Sequence, residues 1–283
     1  MEPRVQQFVN RVGDLPSVPA IAATVIALAE DPNASADDLR AVIERDPALA
    51  ARILKVANSS LFGFSRRIET LRHAIALLGF RTVKNLVLGA SLKEVFKRFG
   101  LTERLLWEHS TRCGVVAARL SEHPVIDVDS EEAFTVGLLH DLGKIALNNA
   151  APEEYSKVVA RVYNEGISFV EAEREIFAFD HAELGALVAE KWRLSPRLET
   201  AIRMHHTPEA LELLPLEDRR LTALATVSTC VCTRLGVGRR EPVLDLDPRR
   251  HPAWGALGLG DDDLDGILEM AATVLKETDG LFG

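Results

Sequence analysis

Helical spacing of apolar residues along nearly the whole chain is the feature that most limits its fold. Residues such as Leu39, Val42 and Ile43 recur three or four positions apart, which places them on one face of a helix. No run shows the sustained alternation of apolar and polar residues that is typical of a half-buried β-strand. The sequence therefore predicts an all-α protein.

Helix start signals separate the helices of the first half. Ser35 and Asp38 form a capping-box pattern, and Asp46 followed by Pro47 places a cap residue and a proline at their preferred positions. Within TLRHAIALLGFRTVKNLVLGASLKEVF, Gly79 predicts a break between two helices that each carry an apolar stripe.

The second half continues with helices of the same kind. Ser168 with Glu171 repeats the capping-box pattern, and Ser195 before Pro196 repeats the cap and the proline. The segment 237–260 is rich in proline and glycine, so we expect it to connect helices over the surface. The predicted helices lie near 103–121, 131–149, 152–165, 168–177, 181–193, 196–206 and 220–235, with a last one from about Asp261 to Lys276.

Composition and charge limit the class of partner. The 283 residues are 47% hydrophobic, which suffices for one large domain or two modest ones. The net charge of −9 weighs against nucleic acid, because such binding depends on Lys and Arg neutralising phosphates. The N-terminus has no apolar signal region, and no stretch approaches the roughly 20 apolar residues that span a bilayer. We expect a cytoplasmic protein that does not bind a membrane.

The three cysteines fit buried structural thiols. Cys113, Cys230 and Cys232 are odd in number and lie within apolar helical runs. This pattern indicates neither a disulfide framework nor a zinc knuckle.

A polar group interrupts the apolar run GLLHDLGKIAL. It contains His140, Asp141 and Lys144, and burying an ionised carboxylate costs several kcal/mol unless it is paired or bound to a cation. Imidazole and carboxylate are ligands for iron, manganese, zinc and nickel. Adjacent helical residues point about 100° apart, so His140 and Asp141 can share one ion only if both lean into the same cavity. The further candidate ligands are His109, His181, His205 and His206.

Each of these residues also has a structural interpretation. His140 can be a hydrogen-bonded core histidine, and Gly143 can permit close helix packing. Asp141 can pair with Lys144 one turn on or with a buried histidine. Taken together, five histidines and an aspartate favour a common pocket, with or without a metal.

At these residues the chain resembles the HD superfamily of metal-dependent phosphohydrolases, and most closely its HDOD branch. The segment from LPSVPAI to VANSSLFG is similar to the N-terminal part of HDOD domains, and the likeness continues to about Gly236. The resemblance implies a multi-helix architecture in which an N-terminal helical subdomain packs on an HD-type helical bundle. The segments we expect are 1–98 for the N-terminal helical part, 99–236 for the HD-like part, 237–260 for the connection and 261–283 for a C-terminal helix.

The resemblance also implies a ligand set. His109 matches the first family histidine, while His140 and Asp141 match the paired motif. Lys144 matches a lysine that contacts phosphate in active relatives. The family's last aspartate should lie on the helix LTALATVSTCVCTRLG, but no carboxylate occurs from Leu221 to Gly236, and the equivalent is Thr229. The residues that resemble the extra ligands of two-metal HD-GYP phosphodiesterases are His181, His205 and His206, although the GYP signature is absent.

Three states of this site remain open from the sequence: a metal-free vestige, a bound metal without catalysis, and an active phosphohydrolase. We accordingly predict either no cofactor or a divalent metal, namely iron, manganese, zinc or nickel, at partial occupancy. The resemblance implies a bacterial signalling protein that binds a signalling protein partner or a ligand such as a nucleotide, without catalysis. The alternative is a metal-dependent phosphohydrolase that cleaves a nucleotide or cyclic dinucleotide through His109, His140, Asp141 and Lys144.

The N-terminal half offers a weaker signal. Asn58, Ser59 and Ser60 follow an apolar helix, and several basic residues follow them. They form a docking surface for an acidic partner or a nucleotide phosphate, or else a helix terminus beside a solvated face. The basic residues are Arg66, Arg67, Arg72, Arg81 and Lys84.

Overall fold

The computed structural model describes residues 3–13, 15–31, 33–58, 64 and 66–278. Within these ranges the secondary structure is helical, with no strand, so the predicted all-α fold is confirmed. The α-helices are α1 Pro3–Val12, α2 Ala20–Glu30, α3 Ala36–Ile43, α4 Pro47–Ala57, α5 Leu71–Leu92, α6 Leu101–Leu120, α7 Ser130–Leu139, α8 Leu142–Ala150, α9 Pro152–Glu165, α10 Phe169–Phe177, α11 His181–Lys191, α12 Pro196–Met204, α13 Leu216–Arg234, α14 Pro252–Ala256 and α15 Asp263–Glu277.

The helices group into two compact units. The larger unit comprises Met1–Ser17 and Phe96–Leu264, and the smaller unit comprises Val18–Val95 and Asp265–Gly283. The predicted segment 1–98 therefore contributes residues to both units. The boundaries at 98, 236 and 260 stay a prediction about segments along the chain.

The smaller unit begins its helices where the sequence signals lie. Ser35 and Asp38 form the reciprocal capping box of α3, and Asp46 accepts hydrogen bonds from the first turn of α4. Gly79 interrupts α5 with a φ of +82°, a value that favours glycine, so the predicted break is confirmed.

Asn58 has a structural role in the smaller unit. Its side-chain amide donates to the carbonyl oxygen of Ile68 at 2.8 Å, and its side-chain oxygen accepts from the Ile68 amide at 2.7 Å. Asn58 therefore connects the end of α4 to the segment that precedes α5. Ser59 and Ser60 lie outside the described residues.

One helical segment has the length and composition of a membrane span, contrary to our expectation. The segment Leu71–Val95 contains an 18-residue window with a mean hydropathy of 1.3. However, 56% of that window is buried within the protein, as in the core helix of a globular fold. The break at Gly79 also leaves a continuous stretch shorter than the roughly 20 residues that span a bilayer.

Glycine allows the central helices of the larger unit to approach closely. A Cβ atom at Gly137 of α7 would lie 2.5 Å from the carbonyl oxygen of Cys113 on α6. A Cβ atom at Gly143 of α8 would lie only 1.8 Å from the carbonyl oxygen of His181 on α11. The structural interpretation of Gly143 as a close-packing residue is therefore confirmed.

The predicted helix 131–149 is two helices. α7 ends at Leu139 and α8 begins at Leu142, because the backbone of Asp141 leaves the helical region with φ −95° and ψ 13°. The 100° separation of neighbouring helical side chains therefore does not apply at this junction. This break allows the side chains of His140 and Asp141 to approach the same point.

The predicted surface connection 237–260 also contributes buried side chains, although most of its residues are exposed or half-buried. It contains α14, in which Ala253 and Trp254 are buried, and the indole N–H of Trp254 donates to the carbonyl oxygen of Gly260. Val237 and Leu257 are also buried. Apolar side chains between the prolines and glycines give this segment its own packed face.

Candidate metal centre

The predicted ligands converge in the larger unit. His109 lies on α6, His140 and Asp141 form the junction between α7 and α8, and His181 is the first residue of α11. The last two histidines follow the end of α12, which is shorter than predicted. Five helices thus bring together His109, His140, Asp141, His181, His205 and His206.

Asp141 is the centre of this cluster. It is 2% exposed, and its two carboxylate oxygens face different groups. One oxygen, Oδ1, lies 3.1 Å from Nε2 of His181 and 3.8 Å from Nε2 of His205. The other, Oδ2, lies 2.7 Å from Nζ of Lys144, 3.5 Å from Nε2 of His140 and 3.6 Å from Nε2 of His109.

The Nδ1 atoms of the histidines bond away from the cluster. Nδ1 of His109 lies 3.1 Å from the carbonyl oxygen of Val237, and Nδ1 of His140 lies 2.8 Å from that of Gly137. Nδ1 of His205 lies 2.7 Å from the carbonyl oxygen of Ile202. Since a carbonyl oxygen only accepts, Nδ1 carries the proton in each ring and the lone pair is on Nε2. These tautomers present nitrogen lone pairs to a shared centre.

His181 is held by a buried carboxylate. Oε2 of Glu173 accepts from Nδ1 of His181 at 2.6 Å and from its backbone amide at 2.8 Å. Burial alone would lower the pKa of His181, but the Glu173 and Asp141 carboxylates outweigh burial and raise it to about 9. Without a metal, His181 is therefore a cation at neutral pH, and its Nε2–H faces Asp141.

The other four histidines of the cluster are neutral at pH 7. Burial lowers the pKa of His109 to about 3 and also lowers the pKa of His140. Burial and the neighbouring imidazoles hold the pKa values of His205 and His206 well below the ordinary value. For Asp141 burial opposes ionisation, but Lys144 and the imidazoles outweigh it and hold its pKa well below the usual range. Neutral imidazoles and an ionised carboxylate are the forms that bind a metal.

These donors fit a divalent metal. One ligand atom each from Asp141, His181, His205 and His206 lies within 4.8 Å of the others. His205 is fully buried, yet its Nε2 has no hydrogen-bond partner among the described residues. A buried lone pair without a donor is costly unless a cation takes it, so His205 indicates a metal ligand.

Thr229 occupies the place that the resemblance assigns to a last aspartate. Its Oγ1 lies 3.0 Å from Nε2 of His140 and 2.9 Å from the carbonyl oxygen of Ala225. The hydroxyl thus contacts the cluster but brings no negative charge. Among the described residues, two carboxylates contact these imidazoles. Asp141 lies at the centre of the cluster, and Glu173 contacts only the Nδ1 side of His181.

Lys144 connects the cluster to a cavity of about 570 Å³ in the larger unit. Its ammonium donates to Asp141 and lies 4.5 Å from the centre of the Phe169 ring. The same cavity is bordered by Tyr163 and Arg239, and by His109, Asp141, His206 and Thr229 of the cluster. Its volume is in the range of small-molecule sites.

Sequence reasoning missed two members of this region. Glu173 was not singled out, although it is a carboxylate on an otherwise apolar face of α10, eight positions before His181. Cys113 was assigned as a structural thiol, yet its Sγ lies 3.4 Å from Nε2 of His109. Its position one turn after His109 on α6 was the available signal.

The cationic state of His181 predicts a pH-dependent metal affinity. A metal must displace the His181 proton, so the apparent association constant should rise about tenfold per pH unit as pH increases toward 9. Glu173→Gln should lower the pKa of His181 and flatten this dependence. The measurement is Mn²⁺ titration by calorimetry at several pH values. Glu175→Gln, on the exposed face of the same helix, serves as the control and should match the wild type.

Comparison with known proteins identifies the family. Residues 15–208 match the HDOD domain. The chain belongs to the HDOD family. This match includes the candidate ligands from His109 to His206, whereas Thr229 lies beyond it. The HDOD assignment confirms the resemblance on which the ligand set was based.

Relatives of this HDOD protein are found in several bacteria. An HDOD domain protein of unknown function from Geobacter sulfurreducens has a TM-score of 0.79 at 28% identity, with 98% of this chain and 97% of that chain covered. A structure from Shewanella amazonensis SB2B has a TM-score of 0.73 at 23% identity, with 99% and 96% covered, which shows the fold alone. An uncharacterized protein of Treponema pallidum (strain Nichols) is 28% identical over 204 residues, which is 72% of this chain. The match spans 40% of that longer relative.

Proposed function

We propose that this HDOD protein is a bacterial, cytoplasmic signalling protein that binds a divalent metal and a small phosphate-bearing ligand without hydrolysing it. Binding is relayed to a signalling protein partner. The observation that carries this proposal is the hydroxyl of Thr229, at 3.0 Å from Nε2 of His140, where the family resemblance implies a carboxylate.

The missing carboxylate affects both charge and coordination. A hydrolytic metal site holds its ion firmly while leaving positions for water and for a phosphoryl oxygen. From Leu221 to Gly236 the chain contains no aspartate or glutamate, so this part of α13 cannot supply a negative ligand. Glu173 does not replace the missing carboxylate, because its Oε2 accepts hydrogen bonds from Nδ1 and from the backbone amide of His181. We therefore infer a weakly held metal and no turnover.

The imidazoles and the carboxylate of the cluster support metal binding, even without hydrolysis. Nitrogen lone pairs and the Asp141 carboxylate would hold iron, manganese, zinc or nickel, at an occupancy that depends on metal supply. When bound, the ion supplies positive charge that attracts and orients an anionic ligand. The backbone carbonyls of Val237, Gly137 and Ile202 orient the rings, and Glu173 positions His181.

The cavity supports a phosphate-bearing ligand, and we favour a nucleotide. Lys144 and Arg239 border it with positive charge, which suits phosphate oxygens. Tyr163 and Phe169 offer aromatic surface for a base. The net charge of −9 supports the view that neither nucleic acid nor a membrane surface is the partner.

The alternative is a metal-dependent phosphohydrolase. It is favoured by Lys144, whose ammonium faces both Asp141 and the cavity and is placed to contact a phosphate. In that case His109, His140 and Asp141 would hold the ion and Lys144 would neutralise charge that develops on phosphate.

Thr229→Asp tests the proposal by adding the carboxylate. The variant should bind Mn²⁺ or Fe²⁺ more tightly than the wild type, because it adds a negative oxygen ligand beside His140. Phosphodiester hydrolysis should be absent in the wild type. Thr233→Asp adds the same charge one turn later on α13, at the border of the same cavity, and should raise metal affinity less than Thr229→Asp does. Metal-dependent hydrolysis by the wild type would contradict the proposal, as would a Thr229→Asp variant that binds the metal no more tightly than the wild type.

A further inference from the structure

A cysteine thiol lies inside the polar cluster. Cys113 is fully buried on α6, and its Sγ is 3.4 Å from Nε2 of His109. One ligand atom each from His109, Cys113 and His140 lies within 4.8 Å of the others. These three residues are separate from the set formed by His181, His205 and His206.

Asp141 contacts the second group, His109, Cys113 and His140, through one of its two carboxylate oxygens. Oδ2 lies 3.6 Å from Nε2 of His109 and 3.5 Å from Nε2 of His140, whereas Oδ1 faces His181 and His205. The two groups of ligands therefore use different oxygens of one carboxylate. Such a carboxylate can serve two metal positions at once.

Three of the six ligand-to-ligand distances match those of a four-coordinate site. Bond lengths of about 2.0–2.1 Å to nitrogen or oxygen and about 2.3 Å to sulfur place neighbouring ligand atoms of a tetrahedron about 3.3–3.6 Å apart. The separations of His109 from Cys113, of His140 from Asp141 and of His109 from Asp141 are 3.4, 3.5 and 3.6 Å. Nδ1 of His109 and of His140 is engaged by backbone carbonyls, so in each ring the lone pair is on Nε2, the nitrogen that lies within the cluster.

We propose that Cys113 is a metal ligand, and that His109, Cys113, His140 and Asp141 form a thiolate-containing position for a borderline-soft divalent ion such as Zn²⁺ or Co²⁺. The proposal rests on the metal centre described above and adds a sulfur ligand to it. On binding, the thiol loses its proton to the solvent, the sulfur donates an electron pair to the ion, and no oxidation occurs. Lys144 must release Oδ2, and the adjacent cavity gives its ammonium space.

The sulfur ligand gives this position a selectivity that nitrogen and oxygen donors lack. Thiolates prefer Zn²⁺ and Co²⁺ over the harder Mn²⁺ and Mg²⁺. Loss of the thiol should therefore reduce affinity for Zn²⁺ more than affinity for Mn²⁺. The remaining imidazoles and Asp141 retain the harder ions.

Cobalt spectroscopy of the full chain tests the proposal. Wild-type protein titrated with Co²⁺ without oxygen should develop a near-ultraviolet sulfur-to-cobalt charge-transfer band. Cys113→Ser should lose this band while keeping the visible absorption from the nitrogen ligands. The double variant Cys230→Ser/Cys232→Ser removes the other two thiols and should retain the band. X-ray absorption of the Zn²⁺-loaded wild type should count one sulfur neighbour, which needs no variant.

The outcomes separate this proposal from the metal centre itself. Cobalt bound with visible absorption but no charge-transfer band overturns the role of Cys113 and leaves the nitrogen and carboxylate ligands standing. A band that persists in Cys113→Ser and disappears in the double variant also overturns it. If no cobalt binds at all, both the sulfur ligand and the metal centre are wrong.

Discussion

Gly143→Ala should destabilise the larger unit by about 4 kcal/mol or more, the largest stability effect that we expect of a single methyl group. The added Cβ would lie 1.8 Å from the carbonyl oxygen of His181 and 2.8 Å from the backbone nitrogen of Gly185. Both are backbone atoms, so no side chain can rotate away. α8 and α11 would have to separate, and His181 would move from Asp141.

Urea unfolding, followed by circular dichroism, measures this effect. Gly255→Ala is the matched control in the same unit, because this glycine is helical and a Cβ added there would meet nothing within 4 Å. That variant should equal the wild type or gain roughly 0.5–1 kcal/mol from helix propensity. A Gly143→Ala protein with the wild-type unfolding midpoint would show that α8 and α11 do not pack as described.

Asp141→Asn should destabilise the metal-free protein by about 3–5 kcal/mol at pH 7 and abolish metal binding. Lys144 is 6% exposed and His181 is fully buried, and both cations face the Asp141 carboxylate at 2.7 and 3.1 Å. Removing that charge leaves two buried cations without the carboxylate that both of them face. The midpoint of urea unfolding in the presence of a chelator measures the change.

Two further variants identify the cause. Asp141→Asn/Lys144→Met removes one of the cations together with the carboxylate and should recover part of the lost stability. Asp127→Asn breaks an exposed pair with Arg220 and should leave the midpoint unchanged. If Asp141→Asn is as stable as the wild type, the carboxylate does not hold these cations in place.

The parts of the fold that the sequence could predict are those set by residues within one helical turn. Ser35, Asp46 and Ser195 each satisfy backbone N–H groups at a helix start, so the beginnings of α3, α4 and α12 follow from residues within one turn. Gly79 likewise breaks α5 through its own backbone conformation. These features depend on near neighbours in the sequence, which a single chain makes visible.

The junction at Asp141 depended on distant residues instead. Leu139 and Leu142 continue the helical pattern, so periodicity favoured one helix over 131–149. The break is compatible with the fold because α11 approaches α8 at Gly143 and because Lys144 and His181 hold the Asp141 side chain. Tertiary contacts of this kind have no local sequence signal.

The candidate site followed from the family resemblance more than from spacing. His109, His140, His181 and His205 come from separate helices, and no periodicity relates them. Glu173 and Cys113 were missed because a buried glutamate and a buried thiol become informative only when their partners are known. The burial of Trp254 within the segment 237–260 had no clear sequence signal, because prolines and glycines dominate the pattern there.

The central claim is that this HDOD protein binds a metal without turnover. The most direct measurement is hydrolysis of phosphomonoesters, phosphodiesters and cyclic dinucleotides by samples whose iron, manganese, zinc and nickel contents are determined in parallel. We predict bound metal with hydrolysis no faster than that of Asp141→Asn. Hydrolysis that increases with metal content and is lost in Asp141→Asn would contradict the claim and assign the protein as a phosphohydrolase.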